Sequence, residues 1–160
     1  MSRDVSLAFI AAVNAQETAE AFIVLVTIRE ASLPNPIYLN TSGANVVSRG
    51  HIFLACPLQV TLGEDSDERL PQPKLVMDNI DRLVVAAIRE AGAAGTAPVV
   101  DLELVKASDP DLVEVACTDF EMREITYNAL TIEADLTLEG LFQEPACGYS
   151  FCPSYFPGLF

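Results

Sequence analysis

The chain has 160 residues, of which 51% are hydrophobic, and carries a formal net charge of −14 at pH 7. This length fits one domain with a real hydrophobic core, and the apolar content argues against a disordered chain. The 23 acidic and 9 basic residues create a field that disfavours direct binding to nucleic acid or to an anionic membrane surface. The longest apolar run, Ala21–Ile28, is too short for a membrane span, which needs about 20 residues. We expect no signal peptide, because Asp4 precedes the first apolar run and no clean cleavage site follows.

The first third of the chain predicts one helix and two strands. Ser2 is a candidate cap for a helix over Arg3–Asn14, whose apolar residues recur at spacings of three and four: Val5, Phe9, Ala12 and Val13. The run Phe22–Ile28 is apolar on both faces, which is typical of a central strand or of one covered by a neighbouring subunit. After a proline-containing turn, Ile37–Leu39 is its expected partner strand.

The middle of the chain predicts two more strands and a second helix. Ile52–Leu62 is a strand interrupted at Cys56-Pro57, because proline cannot donate to a central ladder, and this implies an edge position or a bulge. A short strand over Lys74–Met77 leads to Asp78 or Asn79, either of which can cap a helix that runs to Ala91 and stops at Gly92.

The remaining elements are strands. Val99–Val105 alternates partly, and Leu112–Thr118 follows a turn at Asp109-Pro110. The clearest strand is Leu130–Glu139, in which apolar and polar residues alternate without a break, so that one face is core and the other is solvated.

These elements predict an α+β fold: a mainly antiparallel sandwich or barrel of about six to eight strands, with two peripheral helices and an irregular aromatic C-terminal arm. We place the domain at residues 1–139 and the arm at residues 140–160. The expected core positions are Phe9, Val24, Val26, Ile80, Val84, Ile132 and Leu136.

The C-terminal arm is a candidate interface. Prolines and glycines break its pattern, and it carries six aromatic residues: Phe142, Tyr149, Phe151, Tyr155, Phe156 and Phe160. Rings of this size bury large areas, so we expect the arm to dock either on its own domain or on a neighbouring chain.

No catalytic residues are predicted. His51 is the only histidine, and no nucleophile motif, Walker loop, dinucleotide fingerprint or H-E-x-x-H sequence accompanies it. The acidic segment Glu64–Glu68 lacks the spacing of a calcium loop and is read as a solvated loop. Glu133 and Asp135 lie on the outward face of a predicted strand, where no cleft is expected. The chain is therefore not expected to be an enzyme.

Four cysteines leave one possible metal site. Cys56 and Cys117 lie in apolar surroundings and are expected in the core. Cys147 and Cys152 form a C-x₄-C pair, whereas zinc or an iron–sulfur cluster normally takes four ligands. Unligated thiols are the favoured interpretation, a zinc or iron–sulfur site and a disulfide remain alternatives, and no cofactor is expected.

Several stretches resemble the minor tail, or tail-tip, proteins of siphophages, the family that includes the lambda minor tail protein L. In chain order these stretches are the strand Phe22–Ile28, Ile37–Asn40, Leu75–Ile80, Phe142 with Cys147–Ser150, and Cys152–Gly158. The resemblance is diffuse over most of the chain and is most specific in the last two stretches. In the lambda protein the cysteines after the domain belong to an iron–sulfur-binding extension, and the resemblance implies that Cys147 matches an early member of that set.

The resemblance implies a structural component of the virion tail, made in the host bacterial cytoplasm. Its expected place is a ring or hub at the distal end of the tail tube, between the tape measure and the receptor-binding apparatus. The expected partners are other copies of the chain, as a trimer or hexamer, and other tail proteins. The alternative from a different class is a monomeric small β-barrel that binds a metal or ligand through its C-terminal cysteines.

Overall fold

The structure, a computed structural model, describes residues 5–30, 35–61, 73–79 and 83–138. Two helices and nine strands follow one another in these ranges. In chain order they are α1 (Leu7–Asn14), β1 (Phe22–Arg29), β2 (Ile37–Asn40), β3 (Val46–Ser48), β4 (His51–Ala55), β5 (Leu58–Thr61), β6 (Lys74–Asp78), α2 (Leu83–Ala94), β7 (Val99–Lys106), β8 (Asp109–Tyr127) and β9 (Thr131–Leu138).

All nine strands belong to one mixed sheet with the order β3-β4-β2-β1-β7-β8-β9-β6-β5. The pair β2 and β4 is parallel, and every other pair is antiparallel. The predicted α+β class, mainly antiparallel with two helices, is confirmed. The sheet has one strand more than the upper limit predicted from the sequence.

The two ends of the sheet are brought together by Cys56-Pro57. This dipeptide is the whole connection between β4, second from one edge, and β5, at the other edge. A link this short spans about 10 Å, so the sheet must curl until its ends meet. The amide of Cys56 donates to the Asn40 carbonyl at 3.0 Å, and the amide of Asp78 donates to the Pro57 carbonyl at 3.0 Å. The predicted interruption of the strand at Cys56-Pro57 is therefore the point at which the two ends of the curled sheet meet.

The main core fills the inside of this curl. It joins one face of β1 and β7 to the inward residues of β6, β8 and β9, and α2 covers it with Val84, Val85 and Ile88. Of the expected core positions, four are buried, namely Val26, Val84, Ile132 and Leu136. Val24 is half-buried against the same cluster, and Ile80 lies outside the described residues.

A smaller second core lies on the opposite face of β1. Ile23 and Leu25 pack there with Phe53 and Val105. The edge strand β3 returns over this core, where the Ser48 hydroxyl donates to the Pro110 carbonyl at 2.8 Å. Both faces of β1 are thus covered within one chain, which explains its continuous apolar run and makes it a central strand.

Strand β8 is the largest departure from the sequence prediction. The turn lies at Ala107-Ser108, one dipeptide earlier than expected, and the strand continues to Tyr127. Two β-bulges interrupt its alternation at left-handed residues, Asp119 with φ 63° and Glu124 with φ 47°, and its pairing with β7 shifts register again opposite Leu104–Lys106. Each bulge adds one residue to β8, so the side chains change faces and the sequence loses its period of two.

Both helices begin or end elsewhere than predicted. Helix α1 is capped by Ser6, not Ser2, because the Ser6 hydroxyl accepts from the Phe9 amide at 3.1 Å. Helix α2 continues through Gly92 and ends before Gly95, whose φ of 72° permits a left-handed turn. The Thr96 amide then donates to the Ala91 carbonyl at 3.0 Å, the bond expected of a Schellman stop.

Candidate interaction surface

Helix α1 exposes an uncharged apolar stripe. Residues 5–16 include no Asp, Glu, Lys or Arg. None of the α1 residues is buried, and the exposed fractions are 85% for Leu7, 46% for Ile10 and 54% for Val13. Their spacing of three places them along one side of the helix. We name these three residues the α1 stripe.

The opposite side of α1 is held by few contacts. Ser6 donates to Glu114 twice, from its amide at 2.8 Å and from its hydroxyl at 2.6 Å. The Phe9 ring meets the Phe22 ring edge-on, with centroids 5.1 Å apart. The expectation that Phe9 is a core residue is wrong, because it is only half-buried and joins the helix to the end of β1. These contacts fix the orientation of α1 and leave its stripe in solvent.

Glu114 is the polar anchor of this helix. Its side chain is 1% exposed and lies 3.4 Å from the ammonium of Lys106, which is itself 11% exposed. The hydroxyl of Ser6, together with its amide and with Lys106, lowers the pKa of Glu114 below its ordinary value. A buried charge is tolerated when its hydrogen bonds and counter-charge are in place, so Glu114 is ionised and bound. Nothing local in the sequence distinguishes Glu114 from the other acids on β8, so its role as an anchor could not be predicted.

A second apolar patch lies on the hairpin of β3 and β4. Val47 is paired directly with Ile52, and they are 63% and 59% exposed. Leu54, two residues further along β4, points to the same side and is 37% exposed. Phe53 between them points to the second core, so the hairpin has one buried and one exposed apolar face.

His51 is the first residue of β4. Its exposed ring stacks on Tyr38, with centroids 4.6 Å apart and an interplanar angle of 20°. Within the described ranges, no group of three His, Cys, Asp or Glu residues is placed to hold a metal. Of the outward acids, Glu133 forms an exposed ion pair with Lys74 at 3.0 Å. The segment Glu64–Glu68 lies outside the described residues.

The cysteines differ in their surroundings. Cys56 is buried as expected, whereas Cys117 is exposed on β8, so its placement in the core is wrong. The bulge at Asp119, two residues after Cys117, shifts the register of β8. Apolar residues that are neighbours in the sequence there do not all lie on the buried face. Cys147 and Cys152 lie outside the described residues, as do all six aromatic residues of the arm: Phe142, Tyr149, Phe151, Tyr155, Phe156 and Phe160.

A pocket of about 460 Å³ separates the N-terminal half of α2 from the end of β8. The Arg89 guanidinium lies over the Tyr127 ring, 5.5 Å from its centroid. Asn79 donates to the Asn128 carbonyl at 2.9 Å, but its buried Oδ1 has no hydrogen-bond partner in the part of the chain that the structure describes. The pocket therefore combines one cation and one buried acceptor.

Neither helix in the described ranges has the length and apolar character that a membrane span requires.

A match to a model of a protein family shows the family of this chain. Residues 8–151 match the family model described as "Domain of unknown function (DUF1833)". The chain belongs to this family. The DUF1833 match includes most of α1, all nine strands and the first half of the aromatic arm. No curated protein matches the chain.

Proposed function

We propose that this protein is a structural component of a bacteriophage tail tip, a minor tail protein that forms a ring or hub at the distal end of the tail tube. The resemblance of the sequence to siphophage tail-tip proteins supplies the context. The proposal places the chain between the tape measure and the receptor-binding apparatus, in contact with other copies of itself and with other tail proteins.

The observation that carries this proposal is the α1 stripe. Leu7, Ile10 and Val13 are exposed on an oriented helix, so they add no stability to a monomer in water. Apolar side chains stabilise a protein by being buried. An assembling subunit gains the free energy of that burial when its neighbour arrives.

The test is genetic and structural. A phage whose gene for this protein is deleted should produce tailless or tip-defective particles, and the wild-type protein supplied from a plasmid should restore normal tails. Mass spectrometry of purified tails should detect the protein, and a tag on it should localise to the distal end in electron micrographs. Normal infectious particles from the deletion phage, or purified tails that lack the protein, would refute the proposal.

A second candidate is a monomeric small β-barrel that binds a metal or ligand, and the pocket beside α2, with its guanidinium and its buried acceptor, favours a polar ligand. The C-terminal cysteines would take part in such binding under this alternative. Its distinguishing result is a protein that is monomeric at every concentration and carries stoichiometric zinc or iron after anaerobic purification. A tail-tip subunit should instead be present in purified tails, whether or not its cysteines hold iron.

A further inference from the structure

The chain has two segments that are almost free of charge. Residues 5–16, which include α1, have no charged side chain, and residues 140–160 have one, Glu144. The rest of the protein carries nearly all of the net charge of −14, so two copies repel each other over most of their surfaces. Close approach between copies costs least where these two segments meet.

We infer that the α1 stripe is the receptor for the C-terminal arm, residues 140–160, of a neighbouring copy. This inference rests on the proposed function and specifies how one subunit of the ring joins the next. Aromatic side chains are enriched at the centres of protein interfaces, and the stripe of Leu7, Ile10 and Val13 offers an aliphatic surface without a charge to desolvate.

The two partners of this contact belong to opposite ends of the sheet. Strand β9 ends at Leu138, which is paired with Phe120, and Phe120 is paired with Val100 on β7. Helix α1 is attached at Phe22, which is paired with Lys106 at the other end of β7. Six residues of strand separate these levels, a distance of about 20 Å.

This separation predicts a head-to-tail arrangement. A donor at one end of a subunit and an acceptor at the other form a heterologous contact, and such contacts close into a ring when the rotation permits. The arm has 21 residues and can extend up to about 70 Å, which is enough to reach a neighbour. Its own α1 is also within that length, so the experiment must distinguish the two.

Two full-length variants provide the test. The stripe variant carries Leu7→Gln, Ile10→Gln and Val13→Gln, and the arm variant replaces its six aromatic residues, Phe142, Tyr149, Phe151, Tyr155, Phe156 and Phe160, with serine. A matched control carries Val47→Gln and Ile52→Gln, which remove two equally exposed apolar side chains elsewhere. Circular dichroism establishes that each protein is folded, and mass is measured by light scattering in reducing buffer up to about millimolar concentration.

We expect the wild-type protein and the hairpin control to associate with rising concentration, and each of the other two variants to remain monomeric alone. Their equimolar mixture should form a species of twice the monomer mass, because one intact arm then meets one intact stripe. A stripe variant that still associates overturns the inference, as does a mixture that remains monomeric. A wild-type protein that is monomeric throughout, or an arm variant that unfolds, also overturns the inference, because either result means that the arm binds its own chain. The proposed tail-tip function is tested separately, by the localisation of the tagged protein in tails.

Discussion

Replacing Phe53 by alanine tests whether the small second core holds the hairpin against β1. The Phe53 side chain is 1% exposed and is the largest of the four buried members of this core, and the Tyr38 ring meets it edge-on at 5.1 Å. Removing a buried Phe side chain costs about 3–5 kcal/mol of unfolding free energy. With a urea m-value of about 2 kcal/mol/M, the unfolding midpoint should fall by roughly 1.5–2.5 M.

The neighbouring residue gives a matched control. Ile52 occupies the same strand, points to the opposite side and is 59% exposed, so Ile52→Ala should cost less than about 1 kcal/mol. Both variants are unfolded in urea at pH 7, in reducing buffer and at low micromolar concentration, so that association does not contribute. Equal losses in the two variants would refute the assignment of the second core, as would a loss below 1 kcal/mol for Phe53→Ala.

The pKa of Glu114 is lower in the folded protein than in the unfolded chain, where it is about 4.3. Ionised Glu114 therefore stabilises the folded protein above the unfolded pKa, and this stabilisation is lost as the pH falls through the lower folded pKa. The Ser6 amide resonance should therefore shift in the wild type only as the pH falls below that unfolded value, and should already be shifted at pH 7 in Glu114→Gln. Glu124→Gly should raise the unfolding free energy by about 1 kcal/mol, since a left-handed residue favours glycine, whereas Glu124→Ala should give no gain. In a background with the two C-terminal cysteines changed to serine, the native protein should react with one thiol reagent per chain at Cys117, and Cys56 should react only on unfolding.

The regular parts of the fold could be predicted because local pattern and tertiary structure agree there. Strand β9 alternates strictly, and Ile132, Ala134 and Leu136 are buried as expected. Leu130, assigned to the same face, is 77% exposed because it precedes the strand, in a turn that Asn128 stabilises by accepting from the Leu130 amide at 2.7 Å. The error is thus one of boundary and leaves the register of β9 unchanged.

The bulge of β8 at Asp119 could not be predicted from alternation, because it depends on partners distant in sequence. Asp119 donates its amide to Asp101 at 2.9 Å and accepts from the Arg29 guanidinium at 2.8 Å. Arg29 also contacts Asp101 at 2.8 Å, so residues from three strands stabilise one left-handed residue. The bulge is a property of the assembled sheet, and the sequence around residue 119 shows only a loss of period.

The α1 stripe was missed for a related reason, although the sequence contains a signal for it. Spacings of three and four identified an apolar helix, and such a helix is usually assumed to face its own core. The absence of any charged residue between positions 5 and 16 means that no polar face was available to face the solvent, so apolar residues had to be exposed on one side.

The anchoring of α1 separates folding from association. The helix is oriented through Ser6, Glu114 and Lys106, which are polar contacts made within the chain, and its apolar stripe contributes nothing to the core. Substitutions in the stripe should therefore change association without changing stability, whereas Phe53 should do the reverse. If Leu7→Gln with Ile10→Gln lowered the urea midpoint of the monomer as much as Phe53→Ala, the stripe would be part of the domain's own packing and the interface would have to lie elsewhere.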